Sequence, residues 1–442
     1  TGAHNTAVGN EALIANTTGA QNVAVGAAAL DANTTGSYST AVGYNALTAN
    51  TTGRNTAFGH TALGAVTTAS QNTAFGDNAL AATTGSYNTA VGYGAGNANT
   101  SGGVTAIGQS SLESNTTGAG NTAVGQNSMQ ANTTGSSNVA LGYNSLDANT
   151  TASANTTGHS NTGLGHGALV TNTTGSQNTA LGRTALGLAT TADNNVSIGY
   201  LSMQATTTGS SNVGIGVISL TANTTAANNT AVGYGTLTAN TTGGTNTGLG
   251  ASSLLAVTTA TGNTAIGHQA GSYATTSSSN VFLGRDTQAS AADSSGHEIV
   301  IGANAVGKGT STGFISPNGG AMYQGTNGTA WTQTSDIRIK KNIKDCDTGL
   351  DVINKVKIRN FEYKLPEEIS DGLKESDAKD IKGIQLGTIA QELEEFLPEV
   401  VSTESTGVKA VDPENFTWYL INAVQELSAE VEQLKQKAHD KC

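Results

Sequence analysis

The chain has 442 residues, with 31 acidic and 19 basic side chains and a formal net charge of −12. An acidic chain without a basic stripe argues against a nucleic-acid-binding protein, and the absence of a long apolar run argues against membrane insertion. The two cysteines, Cys346 and Cys442, are too few for a disulfide framework or a cysteine-rich metal site.

A glycine-centred phrase recurs along the first two-thirds of the chain, beginning with Asn5-Thr-Ala-Val-Gly9 and ending at Ile301-Gly302. Successive glycines are 16 to 18 residues apart, with one step of 23. This period is too short for a helix pair or a propeller blade and suits one coil of a β-solenoid. We therefore predict a rod of eighteen coils, each of about 17 residues, over residues 1–302. The repeat glycines are Gly9, Gly26, Gly43, Gly59, Gly76, Gly92, Gly108, Gly125, Gly142, Gly165, Gly182, Gly199, Gly216, Gly233, Gly250, Gly267, Gly284 and Gly302.

Two apolar columns accompany these glycines. The residue just before each glycine, here the pre-glycine column, is Val, Phe, Ile or Leu in every copy. The residue four positions after it, here the leucine column, is Leu or Met in fourteen copies. Each coil is thus expected to contribute two large apolar side chains. That makes a thin core for one chain, and three chains around an axis would bury the second column. The sequence therefore predicts a homotrimer.

The residue just after each glycine, here the post-glycine column, varies among large polar groups, as expected of an outward face. We predict that its tyrosines, together with the loop Thr150–His159 at the longer step, contact a cell-surface glycan or protein. His60, His166 and His268 occupy the same column, and we interpret them as a surface ladder; no metal or other cofactor is predicted. The tyrosines are Tyr44, Tyr93, Tyr143, Tyr200 and Tyr234.

The repeat phrase, as in Ser39-Thr-Ala-Val-Gly-Tyr-Asn-Ala-Leu47, resembles the head repeats of trimeric autotransporter adhesins. The resemblance covers about residues 1–302 and implies a left-handed parallel β-roll that trimerises. A triple β-helix, in which three chains share each turn, is the competing architecture. The recurring Asn-Thr-Thr sequence, as at Asn16, Asn33 and Asn50, is interpreted as turn sequence and not as a glycosylation site.

Residues 303–334 are rich in Gly, Ser and Thr and are predicted to form a neck that ends the solenoid. Residues 335–442 contain several separated motifs: Ser335-Asp-Ile-Arg-Ile-Lys-Lys-Asn-Ile343, Phe361-Glu-Tyr363, Leu386-Gly-Thr-Ile-Ala-Gln-Glu-Leu393 and Leu397-Pro-Glu-Val-Val401. This arrangement is similar to the intramolecular chaperone domain of phage tail spikes and fibres, the S74 peptidase family. The resemblance implies a small α+β domain.

Ser335 and Lys340 are five residues apart, so a turn or bent strand could bring hydroxyl and amine together. A serine needs a base to take its proton, and a partly desolvated lysine can serve as that base. The family resemblance implies that Ser335 is the nucleophile, that Lys340 is the base and that the Thr334–Ser335 bond is cleaved. It also implies that Asp336 and Asn342 position the site or stabilise the oxyanion.

The chain ends in a helical pattern that begins near Pro413. Apolar residues alternate in steps of four and three, as at the a and d positions of a short coiled coil. A helix packed against its own domain is the alternative. These residues are Leu420, Val424, Leu427, Val431, Leu434 and Ala438.

These observations and resemblances predict a phage or prophage tail fibre. Its receptor-binding rod would bind a host glycan or protein. A part preceding Thr1 would attach the rod to other tail proteins. It would assemble in the bacterial cytoplasm before residing in the virion tail. The alternative is a bacterial surface adhesin with a retained, uncleaved trimerisation cap, disfavoured because the C-terminal motifs are not those of a membrane anchor. A polysaccharide-degrading spike needs a placed carboxylate pair. The nine acids of the rod are mostly isolated, so we predict no enzymatic activity for it.

Overall fold

The computed structural model divides the chain into two compact units, Thr1–Thr334 and Ser335–Cys442. No helix among the described residues is long and apolar enough to cross a membrane. The residues that the structure describes are 2–147, 157–293, 296–316, 322–324, 332–333, 337, 340–346, 348–369, 381–403, 407–412 and 414–440.

The first unit is a parallel β-solenoid in which a three-residue strand precedes each repeat glycine. The strands are Thr6–Val8 (β1), Val23–Val25 (β2), Thr40–Val42 (β3), Thr56–Phe58 (β4), Thr73–Phe75 (β5), Thr89–Val91 (β6), Thr105–Ile107 (β7), Thr122–Val124 (β8), Val139–Leu141 (β9), Thr162–Leu164 (β10), Thr179–Leu181 (β11), Val196–Ile198 (β12), Val213–Ile215 (β13), Thr230–Val232 (β14), Thr247–Leu249 (β15), Thr264–Ile266 (β16), Val281–Leu283 (β17) and Ile299–Ile301 (β18).

Each strand pairs in parallel with the strand of the next coil, and the partners hold equivalent repeat positions, as in Val8↔Val25. The stacking continues past residue 302, because β18 pairs in parallel with Gly313–Ile315 (β19). Met322–Gln324 (β20) then pairs antiparallel with β19, and Thr332–Gln333 (β21) with β20. Successive strands of the same chain pair directly, so one chain builds each coil, as in a β-roll and not in a triple β-helix. The predicted β-solenoid is confirmed.

The core within one chain consists of the leucine column and the residue two positions before each glycine, which is small in all but the last two coils. Leu30, Leu47 and Ala24 are fully buried. Because strand residues alternate between faces, the pre-glycine column points outward, from half-buried Val25 to Val8, which is 57% exposed. Only one of the two large apolar columns therefore enters the chain's own core, and the second lies on the outer face.

The repeat glycine is required by its backbone and by its neighbours. Gly165 has a φ of +130°, and a Cβ atom there would lie 2.7 Å from the carbonyl oxygen of Gly182 in the next coil. A side chain would therefore clash with backbone as well as strain the dihedral angle. This close approach explains why glycine recurs in every coil.

Asparagines occupy the position four residues before the glycine in fifteen of the eighteen copies, and this asparagine column forms buried hydrogen bonds between coils. The Nδ2 of Asn212 donates to the carbonyl oxygen of Ala226 (2.8 Å), and its Oδ1 accepts from the backbone N–H of Asn229 (2.9 Å). These bonds satisfy polar groups that would be costly to bury unpaired. Asn33 of the Asn-Thr-Thr sequence is also buried and donates to Gly36 (3.1 Å), which supports the turn interpretation.

The second unit combines short antiparallel strand pairs with helices. Its small core contains Leu393, Leu397 and Val400. The long C-terminal helix confirms the helical pattern predicted from about residue 413. The helices are Leu350–Ile353 (α1), Ala390–Glu394 (α2) and Glu414–His439 (α3), with 3-10 turns at Pro366–Glu368 and Pro398–Val400; the paired strands are Arg359–Phe361 (β22) with Gln385–Gly387 (β23) and Val401–Thr403 (β24) with Lys409–Val411 (β25).

Candidate functional site

The predicted cleavage site lies where the second unit begins. Thr334, Ser335 and Asp336 lie outside the described residues. The side chains of Lys340 and Asn342 are exposed, and the backbone N–H of Lys340 donates to the carbonyl oxygen of Ile337 (3.1 Å), which closes a turn. Asn342 has a φ of +55°, a left-handed conformation that asparagine tolerates. A Ser335–Lys340 dyad stays a prediction, and the described part of the motif places the lysine at the surface after a turn.

Two of the separated sequence motifs meet in the second unit. Strands β22 and β23 pair with Asn360 opposite Leu386. Arg359 of β22 binds Glu392 of α2 through two hydrogen bonds, Nη2–Oε1 (2.7 Å) and Nε–Oε2 (3.3 Å). Hydrogen bonding to Arg359 is the main cause that lowers the pKa of Glu392, and the same bond raises the pKa of Arg359. The pair links the β22–β23 hairpin to α2.

One face of α3 packs against its own unit. Ala423 is buried, and Phe416 and Tyr419 pack against the small core. The hydroxyl of Tyr419 donates to Glu399 (3.1 Å), and burial, followed by this bond, raises the pKa of Tyr419. This half of the helix therefore matches the alternative considered for the sequence, a helix packed on its own domain.

The heptad residues of α3 lie on another, uncovered face. Their exposed fractions run from 40% at Val431 to 64% at Leu434. An apolar cavity of about 410 Å³ adjoins the start of this face and is lined in part by Val356, Phe416 and Leu420. The exposed heptad face has the spacing of a coiled-coil seam.

Two polar residues of α3 have a role that the sequence reasoning missed. The backbone N–H of Leu350 at the start of α1 donates to Glu426 Oε2 (2.6 Å), and Asn422 Nδ2 donates to the carbonyl oxygen of Thr348 (3.0 Å). Asn422 and Glu426 thus anchor α1 on α3. The signal in the sequence was their i, i+4 spacing, which places both on one helical face.

All five tyrosines of the post-glycine column are exposed, from 43% to 60%. Stacking aligns some of them with the neighbouring coil: the ring centroids are 5.6 Å apart for Tyr44 and His60 and 5.3 Å apart for Tyr143 and His166. The guanidinium carbon of Arg183 lies 5.7 Å from the ring centroid of Tyr200. The column is an outward ladder of polar and aromatic groups.

The histidines of this column and the longer loop have local partners. His60 Nδ1 lies 3.0 Å from Asp77 Oδ1. Within the described ranges, no three His, Cys, Asp or Glu side chains are grouped so as to hold a metal ion.

Of the predicted loop Thr150–His159, residues 150–156 lie outside the described residues. His159 Nδ1 accepts a hydrogen bond from the backbone N–H of Ser136 (3.0 Å).

Comparison with known proteins bears on the second unit. Residues 335–402 match the family model Peptidase S74, described as the chaperone of endosialidase. No curated protein and no solved structure matches the chain. The family supports autoproteolytic peptidase-type activity in general, and a β-solenoid followed by such a domain fits a trimeric protein of the tail-fibre or tail-spike type. The chain contains, at residues 335–402 and after a parallel solenoid of about eighteen turns, a chaperone-of-endosialidase domain of the Peptidase S74 family.

Proposed function

We propose that this chain is the receptor-binding rod of a phage or prophage tail fibre. Three copies assemble through the outer face of the solenoid, the chaperone domain aligns them, and the domain then cuts the Thr334–Ser335 bond. The observation that supports this most strongly is the Peptidase S74 match that begins at residue 335, just after a solenoid whose pre-glycine column is uncovered.

The uncovered column explains why the rod needs partners. Val8, Phe75, Leu249 and Leu283 are between 42% and 57% exposed, and every coil places an equivalent apolar residue on this line. With strands ~4.8 Å apart, eighteen coils give an apolar strip on the order of 85 Å long. A continuous strip of this kind marks an interface. Three parallel copies around a threefold axis would bring equivalent residues together.

Such a rod needs an element that sets its register. Because the coils are nearly interchangeable, two chains displaced by one coil would still match apolar residue to apolar residue. A domain that joins the three chains at one end removes this ambiguity. The exposed heptad residues of α3, such as Leu427 and Val431, supply a surface for that joining.

The cleavage proceeds through the residues at the junction. Lys340 Nζ takes the proton of the Ser335 hydroxyl as Oγ attacks the carbonyl carbon of Thr334. The Thr334–Ser335 C–N bond breaks, the proton passes to the leaving amine, and an ester joins the two residues. Water hydrolyses this ester, which releases the Thr334 carboxylate and restores the Ser335 hydroxyl. Asp336 and Asn342 position these groups or stabilise the oxyanion.

The remaining parts of the proposal concern location and partners. The rod folds in the bacterial host cytoplasm and becomes part of the virion tail. The post-glycine column contacts a host glycan or protein, because it presents exposed tyrosines at regular spacing. The rod also attaches to other tail proteins.

Light scattering tests the assembly. Before cleavage, the full chain should have a mass of about three times 44.1 kDa, and residues 1–334 expressed alone should aggregate or give mixed masses. The control is the full chain with Ser335→Ala, which keeps residues 335–442 attached and should yield a uniform trimer without cleavage. A stable monomer of the full chain, or a uniform trimer of residues 1–334 alone, would contradict the proposal.

A further inference from the structure

We infer that the third to fifth coils hold a binding site for a saccharide that bears a carboxylate group. The site centres on Tyr38 and Arg54, away from the post-glycine column. This inference names a ligand class for the receptor-binding role proposed above and rests on that role for its biological meaning. The geometry of the site does not depend on that role.

A polar concavity of about 440 Å³ lies at this place, within the roughly 300–1,000 Å³ range of small-molecule sites. Its floor is rigid, because Asn55 Nδ2 donates to Ala69 (2.8 Å) and Asn72 Nδ2 donates to Gly85 (3.0 Å). A preformed floor reduces the ordering cost of binding. The lining residues are Tyr38, Arg54, Asn55, Thr56, Gln71, Asn72 and Thr73.

Arg54 gives the concavity its charge. Residues 1–302 contain three arginines, no lysine and nine acids, so a positive group is rare in this unit. Arg285 pairs with Asp286 (3.0 Å), whereas Arg54 has no ion pair with a described residue. Its guanidinium carbon instead lies 5.2 Å from the ring centroid of Tyr38. The guanidinium is held in place, and no carboxylate of a described residue uses its N–H donors. Such a group suits a bidentate bond to an anionic ligand.

Tyr38 supplies the aromatic surface of the concavity. Its φ of +64° is shared by the same repeat position in other coils, including Tyr87 (+66°), so this conformation belongs to the repeat. Tyr38 is 58% exposed and offers a flat ring for the C–H face of a sugar.

The other lining groups favour a saccharide over an apolar ligand. Gln71 and Thr73 add an amide and a hydroxyl at the rim, which match sugar hydroxyl groups. Thr56 is two residues from Phe58, about 6–7 Å along an extended strand. The site thus borders the proposed trimer face, and it has to be tested in the assembled protein.

The experiment is calorimetric titration of the purified full chain with a matched pair of sugars, cellobiouronic acid and cellobiose, which differ in one carboxylate. Wild type should bind the acidic disaccharide on the order of tenfold or more tightly than the neutral one, with a preference that weakens as salt is raised. Arg54→Gln should abolish the preference. Arg183→Gln, which removes a guanidinium beside Tyr200 outside the concavity, should leave it unchanged.

Equal affinity of wild type for the two sugars, or binding of neither, would overturn the inference. So would an equal loss in the Arg54 and Arg183 variants. If Arg54→Gln fails to assemble, the test uses Tyr38→Ala and the salt dependence of wild type instead. Tyr38→Ala should weaken binding of the acidic disaccharide, and raised salt should weaken the preference of wild type for it. Because this titration uses soluble sugar, its failure is distinct from failure of the tail-fibre proposal, which would show as a monomeric mass or as loss of adsorption to cells.

Discussion

Phe58 and Phe75 stack with ring centroids 4.6 Å apart and ring planes 6° from parallel, on the outer face of successive coils. Their separation is close to the ~4.8 Å spacing of neighbouring strands, so the stacking of the coils itself aligns the rings. Phe75 is 42% exposed even though a buried leucine column runs along the same unit. The pair lies outside the chain's own core, where a second chain would cover it.

Placing a charge on this face should prevent assembly. Phe75→Glu puts a carboxylate into the proposed interface, where its burial without a partner is strongly unfavourable. We expect the trimer to be lost while the coils keep their β-rich circular dichroism spectrum, with the mass measured by light scattering. Tyr93→Glu, on the exposed post-glycine column, is the matched control and should stay trimeric. A trimeric Phe75→Glu protein would show that this face is not the interface.

The repeat glycine should tolerate no side chain. Gly165→Ala combines a positive φ with a Cβ contact of 2.7 Å to the backbone of Gly182. Gly103 also has positive φ (+73°), but nothing lies within 4 Å of its Cβ position. Gly103→Ala should therefore cost about 1–2 kcal/mol from the dihedral angle alone, and Gly165→Ala clearly more. Urea unfolding of both variants measures this, and equal costs would refute the close-packing explanation.

Much of the fold was predictable from the glycine spacing, and the helix α3 from its heptad spacing. The direction of the pre-glycine column was not predicted, although the alternation of strand residues contained it: if Ala24 points inward, Val25 points outward. The same alternation would have placed Asn22 inside. The i, i+4 spacing of Asn422 and Glu426 places both on one helical face, but it does not encode the tertiary arrangement that brings α1 to that face. The dyad of Ser335 and Lys340 rests on the family motif.

Removing tyrosines from the post-glycine column should weaken attachment to cells. The triple variant Tyr143→Ala, Tyr200→Ala and Tyr234→Ala removes exposed rings, so stability should change by only about 0.5 kcal/mol per site. Adsorption to host cells should fall by about tenfold or more, because aromatic contacts at the centre of an interface carry much of its binding energy. Tyr273→Ala, which is 63% exposed and outside the column, is the control. Unchanged adsorption of the triple variant would move the receptor site elsewhere.

The Arg359–Glu392 pair should make the second unit slightly less stable in acid. The pKa of Glu392 is lowered in the folded state, mainly by its hydrogen bond to Arg359. Its contribution is therefore present above the ordinary value of 4.5 and is lost as the pH falls through the folded pKa. The effect should be small because the pair is exposed.

Urea unfolding followed by the fluorescence of Trp418, with Trp331→Phe to remove the other tryptophan, measures this effect. Glu392→Gln should lower stability at pH 7, and its difference from the parent protein should shrink as the pH falls below 4.5. A stability difference that is constant across this range would show that the ion pair does not contribute.

The central claim is that residues 335–442 align the rod and then cut themselves from it, and a denaturing gel tests it most directly. The folded wild-type trimer should yield a large N-terminal fragment and a fragment of about a quarter of the 44.1 kDa chain. Ser335→Ala and Lys340→Ala should stay whole while remaining trimeric. A wild-type band that stays intact after prolonged incubation would contradict self-cleavage and would leave residues 335–442 as a retained trimerisation cap.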